Sequence, residues 1–234
     1  MKPNYYVISK GRAANVAPMV DAFKGKELVW VVPPSEAEAY CTAGAQAVMS
    51  VLGLSAARNA AIAHAAERGR WAVQFDDDLV KAARLLPSGK CEPITLNAAA
   101  DLLVERAASF EGVSLFGVAP TPNPFYGSLK PKRNVFVVSS FSLYKGGASR
   151  FNTKLPLKED YDFTARVFSS GEGVMRFDDI LVTIRHYTNA GGAVADRNDA
   201  LEQQSIAILK SKWGTWIRDN PRRKNEILLR LPKP

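Results

Sequence analysis

Apolar and polar positions along the chain follow two rhythms. Short runs of aromatic and β-branched residues read as strands, and between them lie stretches with apolar residues every three or four positions, which read as helices. Tyr5–Ser9 (YYVIS) is the first predicted strand, closing on the turn KGR. A helix-like segment, AANVAPMVDAF, follows and is interrupted by Pro18. ELVWVV is the second strand, stopped by Pro33 and Pro34. Ser35 then caps a short helix, with Glu38 three residues on completing a capping box. Residues 46–52 (QAVMSVL) read as a third strand. Ser55 is placed to cap a helix from Ala56 to about Arg68, with Gly69 just past its end. WAVQF follows as a short strand of the fully buried kind. Residues 95–110 predict an amphipathic helix, VSLFGV a strand, and NVFVVSSFSLYKGG a strand with a hairpin return. Residues 156–169 read as a helix, VMRFDDILVTIRHY as one long strand or two short ones, and residues near 199–213 as a last helix before a partly extended tail.

Strands alternating with helices predict an α/β fold: a mostly parallel central sheet with helices on both faces. With 234 residues, 47% of them hydrophobic, the chain is long enough for one such domain. No repeat and no clean linker divides it. The expectation is a single core over residues 1–190, with a helix and basic tail, 191–234, packed on it. No apolar run approaches the length of a membrane helix, and the first residues lack the apolar stretch of a secretory signal. Two widely spaced cysteines, Cys41 and Cys91, fit neither a disulfide framework nor a metal site, so a cytoplasmic setting is expected.

Charge narrows the partners. The net charge is +8, a balance that favours polyanions. From Lys210 onward eight cations stand against two anions, Asp219 and Glu226. Arg222, Arg223 and Lys224 form the densest part, and a second cluster, Lys130, Lys132 and Arg133, follows the stretch APTPNPFYG. These clusters read either as solvated surface or as contacts to the phosphates of DNA. Phe125 and Tyr126 read either as base-stacking residues or as loop aromatics packed on the sheet.

The strongest chemical signal is FDDD, residues 75–78, directly after a predicted buried strand. Adjacent carboxylates repel one another, and burial raises the cost unless a cation or hydrogen bonds compensate. In an extended segment Asp76 and Asp78 share a face and Asp77 points the other way. Two carboxylates at the carboxyl end of a parallel strand suit a hard divalent cation shared with substrate phosphates. The plain alternative is a turn in which an aspartate caps a following helix, DLVKAARLL. Arg58 adds to the signal: a cation near a helix start opposes the macrodipole unless an anion faces it. Glu159 and Asp160 fall at a predicted helix start, and His186 ends a strand before a glycine-rich loop. Asp178 and Asp179 lack the i+2 carboxylate and read as a turn.

In order along the chain, these motifs resemble the GT-A fold of nucleotide-sugar glycosyltransferases. The matching residues are Ser9-Lys10-Gly11-Arg12, Val32-Pro33, Gly53-Leu54-Ser55-Ala56-Ala57-Arg58-Asn59, Phe75-Asp76-Asp77-Asp78 as the DxD motif, Lys158-Glu159-Asp160-Tyr161-Asp162 as the xED motif, and His186. The wording of EDYDFTAR and RHYTNAGG is similar to the TET/JBP-associated glycosyltransferases, which are linked to phage and kinetoplastid DNA.

That resemblance implies a divalent ion, Mn or Mg, held by Asp78 with Asp76 and His186, and a UDP-sugar donor. Ser9, Lys10, Gly11, Arg12, Arg58, Asp76 and Asp77 would then lie against the nucleotide. Asp160, ahead of Glu159, would deprotonate the acceptor, and a base behind the sugar carbon favours inversion. The implied acceptor is the hydroxyl of a hydroxymethylated pyrimidine in DNA, and a phage origin would place the reaction in a bacterial cytoplasm. Three other readings share these motifs. They are a glycosyltransferase acting on a protein, lipid or small-molecule hydroxyl, a sugar nucleotidyltransferase, and a non-catalytic DNA-binding protein of the same fold. Against the nucleotidyltransferase, GRAANVAP lacks the second close glycine that lets a backbone cradle a triphosphate.

Overall fold

A computed structural model describes residues 2–185 and 198–232. The strands are β1 (Pro3–Ile8), β2 (Leu28–Val32), β3 (Ala47–Ser50), β4 (Trp71–Asp76), β5 (Leu79–Leu85), β6 (Cys91–Ile94), β7 (Val113–Val118), β8 (Lys132–Arg133), β9 (Phe141–Tyr144), β10 (Gly173–Phe177), β11 (Ile180–Ile184), β12 (Ile217–Asp219) and β13 (Ile227–Leu229). The helices are α1 (Val16–Ala22), α2 (Ala37–Thr42), α3 (Leu54–Glu67), α4 (Leu96–Ala108), α5 (Glu159–Ser169) and α6 (Asp199–Trp213).

Among the described residues eight strands form one sheet in the order β3-β2-β1-β4-β9-β7-β10-β8. β9 and β8 run against the other six, so the sheet is mostly parallel. Period-two alternation divides its side chains between two cores. Val7, Val73 and Phe75 face one core, where α1, α2 and α4 supply Met19, Tyr40, Ala99 and Leu103. Tyr6, Ile8 and Ala72 face the other, against Ala57, Ala61 and Ile62 of α3 and Phe163 and Val167 of α5. Helices therefore cover both faces. β5, β6 and β11 form a separate small sheet.

The chain order reverses between β1 and β4. β1, β2 and β3 build outward in one direction, and β4 returns to the other side of β1. In open α/β sheets such a switch point leaves a crevice at the carboxyl ends of the two strands. The β1–β4 register brings Ile8 opposite Asp76, so the loops that follow both strands start side by side.

Several sequence expectations are corrected. Ser55 does not cap α3: Gly53 does, with no side-chain bond, and the helix starts at Leu54. Ser35 and Glu38 form no capping box; Pro34–Glu36 is a 3-10 turn leading into α2 without a side-chain cap. DLVKAARLL is no helix, because Leu79–Leu85 pairs antiparallel with both β6 and β11. Of NVFVVSSFSLYKGG only Phe141–Tyr144 is strand. Of the two readings of VMRFDDILVTIRHY the structure has the two short strands, in different sheets, and Asp178 and Asp179 sit in the turn between them as expected. The tail after α6, expected to be partly extended, forms the β12–β13 hairpin. Its Ile217 and Ile227 pack with Leu155, Ile206 and Leu209.

Candidate functional site

The crevice holds a cavity of about 510 Å³, within the range of small-molecule sites. Its apolar side comprises Ile8, Val31, Pro33, Val51 and Leu54; its polar side carries Lys10, Arg12, Arg58, Asp76, Asp77, Asp78, Glu159 and Asp160. Residues 152 positions apart in sequence, Ile8 and Asp160, thus line one cavity.

Strand parity explains the first two aspartates. Asp76 shares the face of Ala72 and Gln74 and meets α3, where Arg58 Nη2 lies 2.9 Å from Asp76 Oδ1. Arg58 is buried, and its Nη1 donates to the Ser139 carbonyl at 3.0 Å. Its Nε lies 3.4 Å from Glu159 Oε1, close enough for charge attraction but without hydrogen-bond geometry. Burial works against the Arg58 charge, and Asp76 and Glu159 outweigh it, so its pKa rises. The anion expected opposite Arg58 is therefore Asp76, although the residue lies fifth in the helix rather than third.

Asp77 turns to the opposite face, where Ser9 Oγ donates to its Oδ2. The Tyr40 hydroxyl lies 2.5 Å from Ser9 Oγ and accepts from the Arg12 amide at 3.0 Å. Asn15 Nδ2 donates to the Asp77 carbonyl at 2.9 Å. Burial raises the Asp77 pKa, with Ser9 and Arg12 opposing. Asp78 departs from strict alternation because β4 ends at Asp76. Arg12 Nη1 spans Asp77 Oδ1 at 2.8 Å and Asp78 Oδ2 at 3.1 Å. Asp78 Oδ1 is buried and has no hydrogen-bond partner. Burial, then the charges of Asp76 and Asp77, push the Asp78 pKa up to about 6 despite Arg12.

The start of α5 forms another part of the wall. Lys158, the residue before the helix, has φ 63°, a left-handed conformation that a lysine rarely adopts. It is anchored by donating from Nζ to the Asn225 carbonyl at 2.8 Å and by an ion pair to Glu202 at 2.6 Å. This turn puts Glu159 and Asp160 on the cavity wall. Glu159 is held toward Arg58, whereas Asp160 Oδ1 accepts from the Tyr161 amide at 3.0 Å. Burial, then the neighbouring Glu159 charge, raise the Asp160 pKa, with Arg58 opposing. A carboxylate raised in this way is suited to accept a proton near neutral pH.

A divalent cation fits the donor chemistry of Asp76 and Asp78, two carboxylates with one buried oxygen unsatisfied. Among the described residues no three histidine, cysteine or acidic side chains are grouped to hold a metal. The third ligand expected from the sequence, His186, lies outside the described residues.

Of the other expected residues, Ser9 and Lys10 line the cavity, and the Gly11 amide donates to Glu36 Oε2 at 2.5 Å. The cations expected on DNA are mostly engaged within the chain. Lys132 pairs with Asp178 at 2.6 Å, Arg223 with Glu226 at 3.0 Å and Lys224 with Asp199 at 2.7 Å, while Arg133 lies over the Phe110 ring. Lys130 and Arg222 have no carboxylate partner among the described residues. Phe125 and Tyr126 are exposed and packed edge to face. Sequence reading missed Tyr40, Asn15 and Gln74, and it named Lys158 only as part of the xED match, with no role of its own. Gln74 sits within the WAVQF strand and donates from Nε2 to the Arg58 carbonyl at 2.9 Å. A polar residue inside an otherwise apolar strand was its one available signal.

Fold and site together define an α/β protein with a mixed acidic and basic crevice at its sheet switch point. No protein-family model matches the chain, and no curated protein matches it. Among solved structures it is similar to one titled "Crystal Structure of A197 from STIV", at 11% identity over 79% of this chain and 86% of that chain, with a TM-score of 0.44. A likeness of that size decides nothing about function. Among the described residues, no helix is long and apolar enough to cross a membrane.

Proposed function

We propose that the protein is a GT-A-type glycosyltransferase that moves a sugar from a nucleotide diphosphate to a hydroxyl, the acceptor being a hydroxymethylated pyrimidine in DNA. The observation that carries this reading is the meeting, in one cavity, of the Asp76–Asp78 turn with the Glu159–Asp160 helix start. The Asp76–Asp78 turn offers oxygen donors flanked by guanidiniums, and Asp160 offers a carboxylate with a raised pKa.

Asp76 and Asp78 would hold a divalent cation, which would supply charge neutralisation for the diphosphate. Lys10, Arg12 and Arg58 border the same space and offset phosphate charge. Asp160 accepts the acceptor's proton as the hydroxyl oxygen bonds to the sugar carbon. The bond from that carbon to the diphosphate oxygen breaks, and its electron pair leaves with the nucleotide. Glu159, turned toward Arg58, holds that guanidinium between itself and Asp76.

A specific observation favours a second reading. With Lys132, Arg223 and Lys224 already ion-paired, the acceptor is instead a hydroxyl on a small molecule, lipid or protein. The test is nucleoside mass spectrometry of hydroxymethylpyrimidine DNA incubated with a panel of nucleotide sugars and Mn²⁺. A hexose increment on the base is expected; transfer to another acceptor only would select the second reading.

A further inference from the structure

A second cavity of about 610 Å³ lies beyond the far end of α5. Its wall includes four cations, Arg150, Lys154, Arg166 and Lys212, together with Trp213, and among the described residues no carboxylate residue lines it. The nearest acid on α5 is already spent: buried Asp162 accepts from Arg166 Nε at 2.5 Å, Lys212 Nζ at 2.7 Å and Trp213 Nε1 at 2.8 Å. One buried carboxylate thus holds two cations in place without cancelling all four. Among the described residues, neither Arg150 nor Lys154 pairs with a carboxylate. The Arg150 guanidinium bonds only backbone carbonyls, those of Gly147 and Ser149, each at 2.9 Å. Hydroxyls of Thr153 and Ser169 add neutral donors to the same wall, whereas those of Ser149 and Ser170 already donate to Glu172 at 3.3 and 3.0 Å.

Neither aromatic ring of this groove is a free stacking platform: Phe151 is buried and stacks on Phe163 at 3.9 Å. Trp216 stacks on Trp213 at 5.5 Å, and Lys212 Nζ sits 4.5 Å from the Trp213 ring centroid. A groove with free cations, hydroxyl donors and occupied rings recognises phosphates and not base faces.

The groove is also tied to the first cavity. Residues 148–154 line the groove, and residues 156–161 of the same segment line the crevice. Along α5, Asp160 and Arg166 are about 9 Å apart and Asp160 and Ser169 about 14 Å apart at 1.5 Å per residue. At about 3.4 Å per phosphate along one strand, this offset spans about three to four phosphates.

We infer that this groove is the docking track for the phosphodiester backbone of the nucleic-acid acceptor, holding phosphates a few nucleotides from the one presented to Asp160. The inference rests on the proposed transfer reaction for its biological meaning, but backbone binding is measurable without donor or metal.

The test is fluorescence anisotropy of a labelled DNA duplex over a salt series, with no nucleotide and no divalent ion. The double variant Arg150→Ala with Lys154→Ala lowers affinity by roughly tenfold near physiological salt and reduces the salt slope by about two. Charge-keeping Arg150→Lys with Lys154→Arg restores the slope. Arg222→Ala with Arg223→Ala leaves it unchanged. An unchanged slope in the groove variant, or a loss confined to the tail variant, overturns the inference. Thermal stabilisation by nucleoside diphosphates and Mn²⁺, measured on the same proteins, stays at the parent level in the groove variant. A failure of the donor site therefore shows separately from a failure of the groove.

Discussion

Asp78 and Asp160 are the two side chains whose surroundings disfavour their charge most consequentially. The Asp78 pKa stands near 6 against an ordinary 3.8, so the folded chain holds this proton more tightly than the unfolded chain. Stability contributed by that proton is present at acid pH and is lost as pH rises from about 4 to about 6. Asp78→Asn removes this loss. Its melting temperature at pH 7.5 is expected to match or exceed the parent's, with the advantage gone at pH 4. Melts at both pH values check this. Asp160 acts on the acceptor instead, and Asp160→Asn is expected to lower kcat by about 10²–10⁴-fold while nucleotide affinity is kept. Because its pKa is raised, the parent's kcat climbs as pH rises toward neutrality and the carboxyl ionises. A flat acid limb in the pH profile would count against Asp160 as the base.

At the level of elements, the N-terminus of α3 depends on Gly53. Its φ of 94° suits only glycine, while nothing lies within 4 Å of the place a Cβ would take. Gly53→Ala therefore costs backbone strain alone, about 1–3 kcal/mol, measurable by urea unfolding. It also shifts the helix that positions Arg58. Much of this region was legible in the sequence. β1, β2, β4 and α3 announce themselves because their aromatic and β-branched runs, or their alanine-rich period, agree with their tertiary surroundings. The FDDD turn was legible for the same reason, since a buried strand had to end there. β5 was not: LVKAARL is rich in helix formers, and its strand state comes from pairing with β6 and β11. Nor was the true start of α3, because Ser55 has the chemistry of a cap but is buried one residue inside the helix. Parity predicted that Asp77 would turn away from Asp76. It failed at Asp78, where the strand has ended and Arg12 draws two neighbouring carboxylates together.

Across the whole molecule, the C-terminal elements brace the wall that carries Asp160. Asn225 and Glu202 hold Lys158, the Tyr161 hydroxyl donates to the Ile227 carbonyl at 2.9 Å, and Asp162 ties α5 to α6. Asp162→Ala strips that carboxylate from three donors. Its expected cost is about 3 kcal/mol in urea unfolding, with a fall in kcat larger than any fall in nucleotide affinity, because the donor side of the cavity is built by β1, β4 and α3. The claim on which all of this turns is that the β1–β4 crevice takes a nucleoside diphosphate together with a divalent ion. Titration calorimetry with a panel of nucleoside diphosphates, with and without Mn²⁺, tests it most directly. Binding of at least one nucleotide that tightens with Mn²⁺ and disappears in Asp78→Ala is the predicted result. Absence of heat across the panel, or binding indifferent to both Mn²⁺ and Asp78, would contradict it.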